Sequence, residues 1–228
     1  GKANGAHADY QLVYDYMCVP MPDKLSFEEG ASIACGTGTA YQALKRLDVS
    51  GRDILAVFGQ GPVGLSATLL GTFMGARVIS IDPVRERREL AEANGAWKTI
   101  DPALSNPIDA INVLTKGRGA DASIDASGID QVRAEAIRST RIWGKCCLVG
   151  EGGSLTLKPS PDIIHRQLNL MGSWTFSTVV LKELADWIVE REIPLSNIIT
   201  NRLPLEKAGE AFNLLNSSKT GKIVITYP

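Results

Sequence analysis

Between Ile54 and Gly75 a short apolar, β-leaning run, ILAVFG (54–59), passes directly into a glycine-rich turn and then into a helix. The turn reads Gly59-Gln60-Gly61-Pro62-Val63-Gly64, a G-x-G-x-x-G pattern. Glycine-rich turns are common, but one that follows a strand and opens a helix restricts the fold, because there each glycine has a use. Gly59 permits the tight turn, and Gly61, having no Cβ, lets a pyrophosphate approach the backbone. Gly64 lets the helix pack closely on the strand. Pro62 and Val63 open the helix, whose N-terminus presents free N–H groups and a positive dipole end to an anion.

The alternation continues. RVISID (77–82) reads as a buried strand, and PVRERRELAEANGA as a helix with Pro83 near its start and Gly95 past its end. Further strands are expected at TID (99–101), ASIDAS (122–127), KCCLVG (145–150) and LNLMGSW (168–174), with helical stretches between several of them. Strands and helices of these lengths imply an α/β fold with a parallel, doubly wound sheet.

The flanks differ. HADYQLVYDYMCVPMPDKL (7–25) alternates and contains two prolines, which predicts short strands ending in an irregular turn. Ser26 and Glu29 make a capping-box pattern for a short helix, and a second helix is expected from Thr37, ended by Ser50 and Gly51. Leu181, Leu184, Ala185, Ile188 and Val189 form one stripe of an amphipathic helix over 179–190. Leu205, Ala208, Phe212 and Leu215 form another after Pro204, and KIVITY is the last strand. This region is read as a C-terminal appendage that leaves the alternation.

Asp82 closes the second strand, 18 residues beyond Gly64. A carboxylate there takes both hydroxyls of an adenosine ribose and repels a 2′-phosphate, which points to NAD rather than NADP. Asp82 also reads as a cap for the next helix, and Arg85 or Arg87 beside it could hold a phosphate. Ser127-Gly128 and Gly150-Glu151-Gly152 follow later strands and should lie at the carboxyl edge of the sheet, where open α/β sheets bind ligands. They read equally as turn residues with no further role.

Lys plus Arg total 24 and Asp plus Glu 25, a formal charge of -1, so neither nucleic acid nor an acidic membrane is an expected partner. No apolar run reaches the length of a spanning helix. None of the four cysteines is spaced C-x-x-C, and Cys146 and Cys147 lie in a run that reads as a buried strand. That argues against a disulfide framework and for a reducing, cytoplasmic setting. The first residue is Gly1 rather than Met, with no signal-peptide pattern behind it, which reads as a fragment or a processed chain.

Three segments together, VFGQGPVGLSATLLGTFMGARVISID, IACGTGTAYQAL and NRLPLEKAGEAFNLL, resemble the zinc-dependent alcohol dehydrogenases of the medium-chain dehydrogenase/reductase superfamily. The resemblance runs from His7 to Tyr227 and covers the later part of a family member. It implies a Rossmann domain with a six-stranded doubly wound parallel sheet over 35–176. Remnants of a GroES-like catalytic domain are implied at both ends, over 1–34 and over 177–228.

Ala34-Cys35-Gly36-Thr37-Gly38-Thr39 matches the family's G/A-C-G-x-x-T segment. By resemblance Cys35 is a zinc ligand in an intact enzyme, and Thr39 takes a catalytic position beside the nicotinamide. Without the resemblance Cys35 reads as a small buried residue. The family's other zinc ligands, its Gly-His-Glu motif, its structural zinc loop and its hydroxyl relay have no counterpart here. Since zinc takes about four ligands, this chain is expected to be metal-free and inactive alone.

The resemblance also places Lys222 near the pyrophosphate and pairs the sixth strands of two copies into a homodimer. His165 reads as structural, and His7 has no assigned role. The implied reaction is hydride transfer between NAD and a small primary or secondary alcohol, or its carbonyl product, with Trp174 a contributor to the substrate pocket. A zinc-free NADPH quinone or enoyl reductase of the same superfamily is disfavoured by Cys35 and Asp82. A methyltransferase is disfavoured by the full glycine motif and the C-terminal segment. A non-catalytic nucleotide-binding module remains the third alternative.

Overall fold

A computed structural model of the chain describes residues 7–217 and 219–227. Two helices, α1 (Phe27–Ser32) and α2 (Gly38–Leu47), are joined by a π-type turn at Ile33–Thr37 and precede the sheet. The chain then runs β1 (Ile54–Phe58), α3 (Pro62–Phe73), β2 (Arg77–Ile81), α4 (Arg85–Ala93), β3 (Lys98–Ile100) and α5 (Pro107–Leu114). It continues through β4 (Ala120–Asp125), α6 (Asp130–Ser139), β5 (Thr140–Leu148), a π-type turn at Ser160–Ile164 and β6 (Asn169–Gly172). The six strands pair in parallel in the order β3-β2-β1-β4-β5-β6. All six expected strands are present.

The strand order reverses between β1 and β4, which opens a crevice at their carboxyl ends. Helices cover both faces. Leu55 and Val57 of β1 join the layer that holds Leu44 of α2 and Leu65 and Leu69 of α3. Ile54, Ala56 and Phe58 join the other layer, with Ile111 of α5 and Ile137 of α6. Burial on both faces explains why β1 is an unbroken apolar run rather than an alternating one.

The capping box at Ser26 and Glu29 forms as expected. Helix α7 (Thr178–Glu190) buries Leu184, Ala185 and Ile188 in the same layer as Leu55. It is tied to α2 by Glu183, which accepts from the Tyr41 hydroxyl at 2.7 Å and pairs with Lys45. The Lys45 ammonium holds the Glu183 carboxyl below its ordinary range, helped by the Tyr41 hydrogen bond.

Four expectations need correction. Residues 7–25 form no strand among the described residues, only a 3-10 turn at Asp15–Met17. Tyr10 and Leu12 are 93% and 90% exposed, because the alternating pattern finds no sheet to lie on. The C-terminal region does alternate: after α7 come β7 (Ile199–Pro204), α8 (Ala208–Asn216) and β8 (Lys222–Thr226), with β7 and β8 paired in parallel as a second sheet. The missed strand, ITNRLP, holds Asn, Arg and Pro and has no apolar period. Helix α2 ends at Leu47, where Asp48 adopts a left-handed conformation (φ 58°), short of Ser50 and Gly51. Helix α4 starts at Arg85 with Val84 as its N-cap, which leaves Pro83 outside it.

Strand β5 begins earlier than expected because its register jumps from Ala120–Thr140 to Ala122–Lys145, so Arg141–Gly144 bulge outward. At that bulge Trp143 sits at φ 59° with 64% of its surface exposed. A left-handed conformation strains a bulky residue, and so exposed a ring recovers little by packing. Trp143→Gly should raise stability by roughly 0.5 to 1 kcal/mol, the relief of strain less the added freedom of the unfolded chain. Urea unfolding reads this directly, and a lowered midpoint would show that the ring is held by contacts worth more than the strain.

Candidate functional site

The glycine turn closes β1 and opens α3, as its spacing requires. Gly59 has φ +86°, and its N–H donates to the Ile81 carbonyl of β2 at 2.8 Å. A Cβ on Gly64 would stand 1.7 Å from the Gly59 carbonyl oxygen, so helix and turn touch there as only glycine allows. A Cβ on Gly61 would meet nothing within 4 Å. The turn is therefore open at Gly61, where a ligand is expected from the sequence to approach the backbone. The first intrahelical bond runs from Leu65 N–H to the Gly61 carbonyl, 2.8 Å, leaving the amides of Val63 and Gly64 ahead of the ladder. Pro62 at the first helical position has no N–H to orphan.

Gln60 fills the inside of the turn. Wholly buried, it donates to the Val57 carbonyl at 3.0 Å and accepts from Thr68 at 2.9 Å, and Thr68 in turn pairs with Ser80 at 3.0 Å. These side chains lock β1, α3 and β2 together behind the open face.

Asp82 stands at the carboxyl end of β2 and turns toward the glycines. One carboxylate oxygen accepts from the Gln60 N–H at 2.7 Å, the other from the Val84 N–H at 2.8 Å. The helix-entry reading of the residue is thus realised in part, since it holds the approach to α4, and the same carboxylate also braces the glycine turn. Arg85 is exposed and pairs with Glu89 at 2.7 Å, away from the carboxylate. Arg87 is largely buried, 4.0 Å from Asp82, and donates to the Thr220 carbonyl at 3.4 Å. Arg88 bonds the Asp82 carbonyl and Asp101, both at 2.8 Å.

On the other side of β1, the loops after β4 and β5 lie against each other. A Cβ on Gly128 would come 2.0 Å from the Glu151 carbonyl oxygen, and one on Gly150 would come 2.2 Å from the Gly128 nitrogen. Ser127 borders Gly59 directly, at 3.2 Å from where a Cβ would stand. Ser127, Gly128, Gly150 and Glu151 thus share one carboxyl edge with the glycine turn. Glu151 accepts from the indole N–H of the exposed Trp174 at 2.6 Å, and Gly152 lies beyond in a left-handed conformation.

The residue that organises these loops was not singled out in the sequence. Asp125, the last residue of β4, is wholly buried. It accepts from the Ser127 N–H and hydroxyl at 2.9 and 2.7 Å, and from the Gly128 N–H at 3.3 Å. Arg133 lies 3.4 Å away and also donates to the Gly150 carbonyl at 2.6 Å. The signal was present: an acidic residue closing a buried strand at its carboxyl end, as Asp82 does after β2. Gln60 carried no such mark.

Cys35 lies in the π-type turn at Ile33–Thr37 and is exposed, which overturns its reading as a small buried residue. Thr39, half-buried on the first turn of α2, donates to the Cys35 carbonyl at 2.9 Å. Among the described residues no group of three or more His, Cys, Asp or Glu could hold a metal, so Cys35 alone does not make a zinc site here. Lys222 and Pro62 line one cleft of about 200 Å³ together with His7, Phe212 and Ile223, which brings β8 beside the glycine turn. His165 is exposed just after the Ser160–Ile164 turn. Burial pushes the thiols of Cys146 and Cys147 up to about 12 and about 11, which makes both unreactive. No helix among the described residues is long and apolar enough to cross a membrane.

Comparison with known proteins agrees with this geometry. The family described as zinc-binding dehydrogenase matches residues 62–190, more than half of the chain. An uncharacterised zinc-type alcohol dehydrogenase-like protein of Escherichia coli K12 is 37% identical over 228 residues, which cover 100% of this chain and 65% of that protein. Alcohol dehydrogenase class-2 isozyme 2 of Oryctolagus cuniculus is 31% identical over 97% of this chain and 60% of its own length. The chain therefore spans less than two thirds of these curated relatives. A solved structure described as an NAD-dependent alcohol dehydrogenase superposes with a TM-score of 0.87 at 28% identity, over 98% of this chain and 66% of that one. A glycine turn open at Gly61, six parallel strands in doubly wound order and these matches have one reading: the chain belongs to the zinc-binding dehydrogenase family, the zinc-type alcohol dehydrogenases of the medium-chain dehydrogenase/reductase superfamily.

Proposed function

We propose that this chain is the NAD-binding part of a zinc-type alcohol or polyol dehydrogenase that moves hydride between NAD and a small alcohol or its carbonyl product. The open backbone at Gly61, set at the N-terminus of α3 and braced by the Asp82 carboxylate, carries the reading. The diphosphate would rest on the amides of Val63 and Gly64, with Lys222 close enough across the cleft to balance its charge. Asp82 keeps lone pairs beyond those given to Gln60 and Val84, and these would take the ribose hydroxyls. Because Asp82 is only 3% exposed, a ribose reaches it once a neighbour yields, and Arg87 is that neighbour.

With this strand order the adenosine half would lie over β2 and the nicotinamide half over β4 and β5, where Ser127, Gly128, Gly150 and Glu151 would contact it. Thr39 would lie beside the nicotinamide. When bound, the nicotinamide supplies the hydride chemistry, and the residues of this chain bind and orient it. The described residues do not make a zinc site, so Cys35 would be one ligand of a set completed elsewhere in a longer protein. The outer edge of the sheet is β6, paired on one side by β5, and a second copy's β6 would extend it.

Titration of the chain with NADH and NADPH, followed by nicotinamide fluorescence, tests the reading. NADH should bind and NADPH should bind more weakly. Equal or tighter binding of NADPH would remove the role given to Asp82, and no binding of either would remove the dehydrogenase reading.

A further inference from the structure

The carboxyl edge of the sheet is supported by two separate polar networks. On the β1–β2–β3 side, Asp82 and Gln60 brace the glycine turn, and Arg88 ties Asp82 to Asp101. On the β1–β4–β5 side, Asp125 and Arg133 do the corresponding work with none of those residues. Asp125 is placed to do more than close its own loop. Its side chain holds Ser127 and Gly128 of the loop after β4, while its backbone carbonyl accepts from Val149 and Gly150 of the loop after β5, both at 2.9 Å. Arg133 repeats the link from α6, with one guanidinium nitrogen on the Asp125 carboxylate and another on the Gly150 carbonyl.

The two loops have no slack. Gly128 and Gly150 approach so closely that neither admits a Cβ, and Ser127 reaches Gly59 at the centre of the crevice. A buried carboxylate is costly unless paired, and this one spends its acceptors on fixing two ligand-edge loops against each other. The sheet core needs no charge at that place, since Leu148 and Phe58 flank Asp125 across β5 and β1.

From this arrangement we infer that Asp125 and Arg133 are positioning residues for the nicotinamide half of the cofactor, acting through Ser127, Gly128 and Gly150, while the adenosine half is held independently by the Asp82 network. The inference rests on the nucleotide-binding reading above. It makes the two halves of one site separable by substitution. Loss of the clamp should loosen the loops that contact the nicotinamide end and leave the adenosine-diphosphate end intact.

The test compares NADH with ADP, which has no nicotinamide end, on the wild-type chain and on Arg133→Met and Arg133→Lys, by calorimetry. Arg133 is the better target because Asp125 is wholly buried and its variants need not fold. Arg133→Met should weaken NADH by at least about tenfold and change ADP by less than about twofold, with Arg133→Lys recovering part of the loss through its retained charge. A merely structural role would lower both ligands together, or neither, and either outcome overturns the inference. If the wild-type chain binds ADP and NADH and Arg133→Met leaves NADH unchanged, the inference falls alone. If the wild-type chain binds neither ligand, it falls together with the nucleotide-binding reading.

Discussion

Gly61→Ala should fold like the wild-type chain and bind NADH far more weakly, whereas Gly64→Ala should be strongly destabilised. The two glycines are three residues apart in one turn, yet their surroundings are opposite. At Gly64 a methyl group would overlap the Gly59 carbonyl oxygen at 1.7 Å, and the obstacle is backbone that cannot rotate away. Helix α3 would have to lift from β1, opening a layer that holds Leu65, Leu69 and Leu55. We expect a loss of about 3 kcal/mol or more, since overpacking a tight core against backbone is at the costly end of its range. For a chain of this size that is a fall of roughly 10 °C in Tm.

At Gly61 the backbone is ordinary (φ -68°) and the space beyond is empty, so alanine should change stability by less than about 0.5 kcal/mol. The same methyl would stand between a diphosphate and the amides of Val63 and Gly64. One misplaced methyl in a fitted pocket costs about tenfold to hundredfold in affinity. Thermal melts and NADH titrations on both variants settle the point. A Gly61→Ala chain that still bound NADH as wild type would mean that the diphosphate does not lie there.

What the sequence disclosed, and what it did not, follows from the reach of the interactions. The central strands were readable because they are buried on two faces and so advertise themselves as apolar runs, Ile54–Phe58 most plainly. The partly exposed β3 and β6 were found from their place in the strand–helix alternation. The tight turn at Gly59 and the close packing at Gly64 were readable because backbone conformation and helix packing are local. Asp82 was visible as a polar end to an apolar strand, and its position at the turn agrees with that expectation. Asp125 has the same local signature, but its function depends on Arg133, eight residues on, and Gly150, in another loop. Pairings of that kind are made by the fold and leave no period in the chain. Residues 7–25 failed for the converse reason: their alternation is real, but a strand exists only with a neighbour, and the described chain offers none. Strand β7 failed because Asn201, Arg202 and Pro204 hide a strand that pairs on one side only. Cys35 departs from the usual fate of a lone cysteine, lying exposed on a π-type turn, and only the resemblance, not the local sequence, pointed away from the core.

Asp82→Ala should weaken NADH by about a hundredfold and erase the preference over NADPH. Two contributions add. A ribose hydroxyl bonded to a charged acceptor is worth about 1.5 to 3 kcal/mol, and losing it alone brings the affinity down by one to two orders of magnitude. The same carboxylate also braces the turn, and its removal strands the N–H groups of Gln60 and Val84, so some loss of order at the diphosphate site follows. NADPH should respond differently. The charge that repels its 2′-phosphate is gone, and Arg87, whose guanidinium lies 4.0 Å from the Asp82 carboxylate, loses its anionic neighbour. A phosphate would restore one, so NADPH affinity should hold steady or rise while that of NADH falls. Adding Arg87→Gln to the variant should then cancel the NADPH gain without further harm to NADH. Arg85→Gln, by contrast, should do nothing in the same background, because Arg85 is paired with Glu89 on the exposed side of α4. If Asp82→Ala bound NADH and NADPH in the wild-type ratio, the carboxylate would be a helix-entry cap and a turn brace, and cofactor choice would have to be sought on another residue.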